Sequence, residues 1–287
     1  MKMTYTPIQT QTDFLKYESF QSYLKLYRVY YGYEDNDNRI VIGLQNISMG
    51  VGRVWTPTNI FNPKNIYALE PDETFGVMAL SYTRHIDENS DINFIVSVDD
   101  EKNLRYAGRY KAFLEISDLA VNIVYSDDII MLGFEIEANL AQTGIELRAE
   151  ISNIESEIAD FTQIVLGADY GFTNGLNLIV ESLYSSQKFS SQDILLHHNS
   201  PIISNLVYSN FYTAVALSYS FNIFLDTSMQ YIESFNTINS RFFTPSLTYT
   251  LNDYNSFVIS TNIYDAKEGS EFYHLQNSYY LKYSIIF

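Results

Sequence analysis

The sequence predicts an all-β fold: a transmembrane barrel of about 14–16 antiparallel strands in up-and-down order. Three observations predict it. Apolar and polar residues alternate with period two over many runs, which places one set of side chains on each face of a strand. The chain of 287 residues holds 25 Tyr and 19 Phe but only 6 Pro, a composition that favours the pleated strand. No stretch reaches the roughly 18 consecutive apolar residues of a transmembrane helix. The mean hydropathy of −0.10 is what strict alternation gives.

The last segment shows the alternation best. Tyr279, Leu281, Tyr283, Ile285 and Phe287 share one face, and Ser278, Tyr280, Lys282 and Ser284 the other. Leu132, Phe134 and Ile136 alternate with Gly133, Glu135 and Glu137, and Ile145, Leu147, Ala149 and Ile151 with Glu146, Arg148 and Glu150. Further runs pair Ile164, Leu166, Ala168 and Tyr170 with Gln163, Val165, Gly167 and Asp169, and Leu178 and Val180 with Asn177, Ile179 and Glu181. In order, strands are expected near 22–33, 39–48, 73–84, 91–99, 104–114, 118–126, 129–139, 143–154, 160–172, 175–186, 208–221, 222–234, 240–251, 255–266 and 274–287. No linker divides the chain, so residues 1–287 are read as one barrel domain.

These segments make an odd number, whereas bacterial barrels close with an even one. Either residues 2–14 supply a first strand (1–20 being a partial one), or one segment is misread, or a strand lies upstream. With the C-terminus at the short-turn rim, the connections 49–72, 155–159, 187–207, 235–239 and 267–273 fall on the opposite rim, including the two longest.

Composition narrows the function. The formal charge of −17 excludes nucleic acid as a partner, because phosphate binding needs clustered Lys and Arg. The same acid excess suggests cations as the preferred ions. Cysteine is absent, which excludes disulfides and thiolate metal sites, and no cofactor or metal is expected. The N-terminus lacks the apolar core of a signal peptide, so an exported chain would be a mature form, a truncated form or one with a misassigned start.

The terminal Phe287 with Tyr279, Leu281, Tyr283 and Ile285 before it resembles the C-terminal signature of Gram-negative outer-membrane β-barrels. The resemblance implies that barrel-assembly machinery reads the last strand. Residues 39–63 are similar to a porin-like stretch in which a G-x-Q strand leads into a W-x-P-T-[DN]-x-x-N-P loop. The matching positions are Gly43, Gln45, Gly50, Trp55, Pro57, Thr58, Asn59, Asn62 and Pro63, with Asn59 where the family often has Asp. The resemblance implies a bacterial outer-membrane location and a porin or export channel. It implies outer-membrane lipid and small solutes as partners and leaves a homo-oligomer open.

Three groups of residues carry the chemistry. If the Phe287 face meets lipid, the charged face lines the interior: Arg105, Arg109 and Lys111; Glu135 and Glu137; Glu146, Arg148 and Glu150; Asp169; Glu181; Asp226; Lys282. Such residues either line a wet pore whose transverse field orients solutes or form a ladder of internal salt bridges. In 187–207, Ser190 or Ser191 is placed to cap a short helical turn. Ile194, Leu195, Leu196, His197 and His198 either constrict the mouth or belong to a loop packed on its neighbours. Trp55, Pro57, Asn59, Asn62 and Pro63 either contact solute or rigidify a long loop.

An enzyme is not expected. His274 with Glu271, and Asp127 with Asp128, are rim residues of common type, and no nucleophile elbow or metalloprotease helix surrounds the histidines. The leading reading is a channel for small polar or charged solutes. The alternative is a surface-binding barrel, a polysaccharide anchor or adhesin, without an open pore. A soluble all-β protein is the third reading.

Overall fold

The computed structural model describes the backbone of residues 2–5, 9–11 and 23–25, and residues 27–66, 74–98, 102–198 and 200–285 in full. Its strands in chain order are β1 Lys2–Tyr5, β2 Gln9–Gln11, β3 Tyr23–Lys25, β4 Val29–Glu34, β5 Asn38–Gln45, β6 Val77–Asp87, β7 Ser90–Val98, β8 Leu104–Phe113 and β9 Ser117–Ser126. There follow β10 Ile129–Asn139, β11 Ile145–Ser156, β12 Phe161–Gly171, β13 Leu176–Ser185, β14 Phe211–Asn222, β15 Leu225–Phe235, β16 Ser240–Asn252, β17 Asn255–Asp265 and β18 Ser278–Ile285. A 16-stranded sheet runs β1, then β4 to β18 in sequence order, every neighbouring pair antiparallel. From β4 onward each strand therefore pairs with the next in the chain, which is the up-and-down topology of a barrel.

The even count resolves the odd one. Residues expected as a first strand divide in two: β1 joins the large sheet beside β4, while β2 pairs with β3 in a separate two-stranded sheet. The expected strand 22–33 divides likewise into β3 and β4.

Alternation sorts the side chains as expected. On β10, Ile130, Leu132 and Phe134 are exposed, while Met131, Gly133 and Glu135 are buried inside. On β18, Tyr279, Leu281, Tyr283 and Ile285 all stand on the exposed outer face; Phe287 lies outside the described residues. A large apolar outer face is stable only where hydrocarbon covers it, and a Lys or Arg there costs about 2–4 kcal/mol at mid-depth.

The long connections 46–76, 186–210 and 266–277 all leave one rim; the opposite rim carries tight turns such as 88–89, 223–224 and 253–254. All three of these connections contribute to the core. Ile47, Met49, Ile60 and Phe61 from the first, with Phe189, Ile202 and Leu206 from the second, pack on inward residues Val124, Met131, Ile154 and Phe161. A second cluster joins Val54 to Val165, Leu183, Tyr212, Ile232, Phe242 and Phe272. The inner face under these loops is thus part apolar, and it also carries the buried polar residues Glu135, Arg148, Glu150 and Glu181.

Candidate functional site

Three glutamates on the inner wall organise the lumen. Glu135, Glu150 and Glu181 stand on β10, β11 and β13 and are all buried. A buried carboxylate needs donors, since its desolvation costs several kcal/mol when uncompensated. Here the donors are backbone N–H groups of the folded-in loop 46–66. Gly50 donates to Glu135 at 2.7 Å. Val51 and Gly52 donate to Glu150 Oε2 at 2.9 and 3.1 Å, and Thr58 donates to Glu150 Oε1 at 2.7 Å. Arg53, Val54 and Trp55 donate to Glu181 at 2.7, 2.9 and 2.8 Å. Hydrogen bonds to an ionised acceptor are about twice as strong as neutral ones.

The approach is close. Gly50 has φ +87°, and a Cβ there would lie 2.7 Å from Glu150 Oε2, so only glycine fits. A Cβ on Gly133 would lie 2.7 Å from Thr58 Cγ2. Both glycines let the loop lie flat on the wall.

Cations complete the cluster. The Arg53 guanidinium meets Asp169 at 3.1 Å, Glu146 at 2.6 Å and Glu137 at 3.3 Å. Arg148, wholly buried behind it, bonds Asp169 and Glu146 and lies 3.7 Å from Glu181. Arg109 bridges the loop and the acidic wall, donating to Ser48 O at 2.9 Å and to Glu135 at 2.6 Å. Arg105 is buried beside the loop, with Nη1 3.5 Å from Ile60 O and its guanidinium 5.9 Å from the Phe61 ring. Asp226 and Lys282 lie on β15 and β18, outside this cluster.

The Trp55 motif staples the loop to itself and to its neighbour. Asn62 Oδ1 accepts from Ile47 N at 2.7 Å, and Asn62 Nδ2 donates to Phe75 O. Asn59 Nδ2 donates to Asn62 O at 2.9 Å, and Asn59 Oδ1 accepts from Asn62 N at 3.1 Å. Pro57 O accepts from Asn205 Nδ2 at 2.9 Å, which ties the two inward loops together. Trp55 packs near Tyr212, ring centroids 5.9 Å apart, and Pro63 lines a small cavity beside it.

In the connection 186–210, Ser190 caps helix α1, Ser191–Leu196, through a reciprocal bond pair with Asp193. Burial falls on Phe189, Ile202, Asn205 and Leu206, and Ile194 packs against them. Leu195 and Leu196 are 72% and 69% exposed; His197 is half-buried and His198 exposed. Sequence reasoning did not single out Arg53, Asn122 or Asn205, and it named Thr58 only as a motif position and Gln163 only in an alternating run. Yet Asn122 donates to Glu135 at 2.6 Å, and Gln163 and Asn205 bond each other at 3.0 Å.

Beside the clamped loop lies a cavity of about 470 Å³. The wall of β4–β8 and residues 46–49 of the loop bound it. Arg28, Arg39, Arg109 and Lys111 line it with His85, against Glu34 and Asp91; Tyr30, Ser81, Thr83 and Asn93 supply neutral polar groups.

The sequence matches no family model and no curated protein. The fold is similar to solved outer-membrane barrels. Pseudomonas aeruginosa OccK11 (OpdR) aligns with TM-score 0.63 at 8% identity, over 94% of this chain and 83% of that one. Escherichia coli Wzi, a carbohydrate-binding β-barrel involved in group 1 capsule assembly, aligns with TM-score 0.61 at 9% identity, over 85% and 67%. Pseudomonas aeruginosa OccK2 (OpdF), solved in complex with glucuronate, aligns with TM-score 0.56 at 8% identity, over 87% and 78%. At such identities the likeness is one of architecture: the chain has the fold of an outer-membrane β-barrel.

Proposed function

We propose that the chain is a channel of the bacterial outer membrane that passes small polar or charged solutes along the β4–β8 wall. One observation carries the reading: the inward loop is clamped to β10–β13, so the cavity of about 470 Å³ stays beside a polar, charged wall. A barrel of this strand number is too wide for wall side chains alone to close.

The charge distribution supports anions rather than the cations that the overall acid excess suggested. The carboxylates of the acidic stripe are engaged by loop amides, Arg53, Arg109 and Arg148. Arg109 is held by Glu135, so Arg28, Arg39 and Lys111, against Glu34 and Asp91, then face the cavity. The glucuronate held by OccK2 is a solute of this chemistry, a carboxylate on a polyhydroxylated ring. The Trp55 motif serves as the staple that fixes the loop. The outward row Tyr279, Leu281, Tyr283 and Ile285, with Phe287 after it in the sequence, serves as the signal for barrel-assembly machinery.

The second reading is a carbohydrate-binding barrel without a continuous pore. The loop-filled half of the lumen and the likeness to Wzi favour it. Planar-bilayer recording of the folded protein separates the two. Stepwise conductance supports the channel; a folded barrel that gives no steps above background contradicts it and leaves the binding reading.

A further inference from the structure

The short-turn rim is uneven. The turns that join β8 to β9, β10 to β11, β12 to β13, β14 to β15 and β16 to β17 carry large exposed apolar side chains, with Glu115 and Asp253 as the charged residues among them. Ile116 is 68% exposed, Leu140 47%, Phe172 40%, Ile223 83%, Phe224 45% and Tyr254 61%. The remaining arc of the same rim is charged. Asp35, Asn36 and Asp37 form the β4–β5 turn, Glu88 and Asn89 the β6–β7 turn. Arg84, on the outward face of β6, donates to Asn38 at 3.0 Å and lies 3.7 Å from Asp37; Ile86 is the apolar outward residue beside it.

Turns in water favour Gly, Asn, Asp and Ser, and an extended apolar surface marks an interaction site. This surface is continuous with the outward rows of the strands. Phe221, 59% exposed, and Leu251, 45% exposed, carry the apolar rows of β14 and β16 to the edge of the turns. It is spread over separate hairpin tips round an arc. A fluid layer can cover such tips; a single protein face meets few of them.

We propose that the β8–β17 turns are seated in the headgroup–acyl boundary of the adjoining phospholipid leaflet, while the β4–β7 turns stand in water, so that the barrel sits tilted. The interfacial layer, about 5–10 Å deep for amphipathic segments, is enough to take hairpin tips. The proposal rests on the barrel fold and holds whether or not solutes pass.

The chain has no cysteine, so single-site nitroxide labelling tests it directly. Ile223→Cys, Leu140→Cys, Asn36→Cys and Glu88→Cys variants are labelled and folded into phosphatidylcholine–phosphatidylglycerol vesicles, with strand content checked by circular dichroism. Relaxation by oxygen, which concentrates in lipid, is compared with relaxation by an aqueous nickel chelate. Labels at 223 and 140 are expected to show an oxygen-to-nickel ratio several-fold above those at 36 and 88. Equal nickel accessibility at 223 and 36 overturns the proposal and turns the patch into a surface for an apolar protein partner.

Discussion

Glu150 Oε1 accepts both the backbone N–H and the hydroxyl of Thr58, at 2.7 and 2.8 Å, inside the barrel wall. The same hydroxyl lies 3.1 Å from Glu135 Oε1, so one threonine sits between two buried carboxylates. Removing the hydroxyl while keeping the shape should be costly. Thr58→Val is expected to lower stability by about 1.5–3 kcal/mol, the range for a hydrogen bond to a charged group. Thr58→Ser should retain most of it. Denaturant unfolding of the detergent-folded barrel checks both, and equal stability of the Val variant and the parent would refute the clamp.

The outer face makes a sharper demand. Leu166 is 59% exposed on the outward row of β12. Leu166→Arg is expected to destabilise the barrel in bilayers by about 2–4 kcal/mol. Ser228→Arg, on the inward face of β15, should cost far less. Reversible folding titrations into lipid vesicles give both numbers, and a neutral Leu166→Arg would remove hydrocarbon from this face.

Charge at the cavity sets ion preference. Lys111 lines the cavity, with its ammonium 4.3 Å from the Phe113 ring centroid. Lys111→Glu changes the wall by two charges and is expected to move the reversal potential in a salt gradient toward cation preference. An unchanged reversal potential would place the ion path elsewhere.

The cap of α1 carries a pH dependence. Hydrogen bonds from the Ser190 hydroxyl and backbone N–H hold Asp193 below its ordinary value of 3.8. Because the folded value is depressed, the carboxylate's contribution is fully present above the ordinary value and is lost as pH falls through the lower, folded one. Hydrogen exchange of the 188–198 segment, corrected for intrinsic rates, should therefore stay constant down to about pH 4 and rise below it. Ser190→Ala should raise exchange even at neutral pH.

Much of this architecture was legible in the sequence because a strand writes its two faces as alternate letters. The rows Leu132–Phe134 and Tyr279–Ile285 gave the outer face, and Glu135, Glu150 and Glu181 gave inward positions. What alternation could not show was where those carboxylates find donors. Gly50 to Trp55 donate through the backbone, which carries no letter of its own. Two signals were present. Inward acids on β10–β13 outnumber inward bases there, so other donors had to come from a loop. The doubly apolar run Ile129–Met131 and the pair Phe242–Phe243 break the alternation, because the inner face there is covered by protein. The 22–33 segment misled because one continuous apolar pattern serves two sheets.

The most direct test of the solute path uses the missing cysteine again. Thr83→Cys places one thiol in the cavity beside the β4–β8 wall, and a charged methanethiosulfonate reagent is added during single-channel recording. A path along this wall predicts that modification lowers the conductance of every open step. Currents unchanged after complete labelling of position 83 would contradict it.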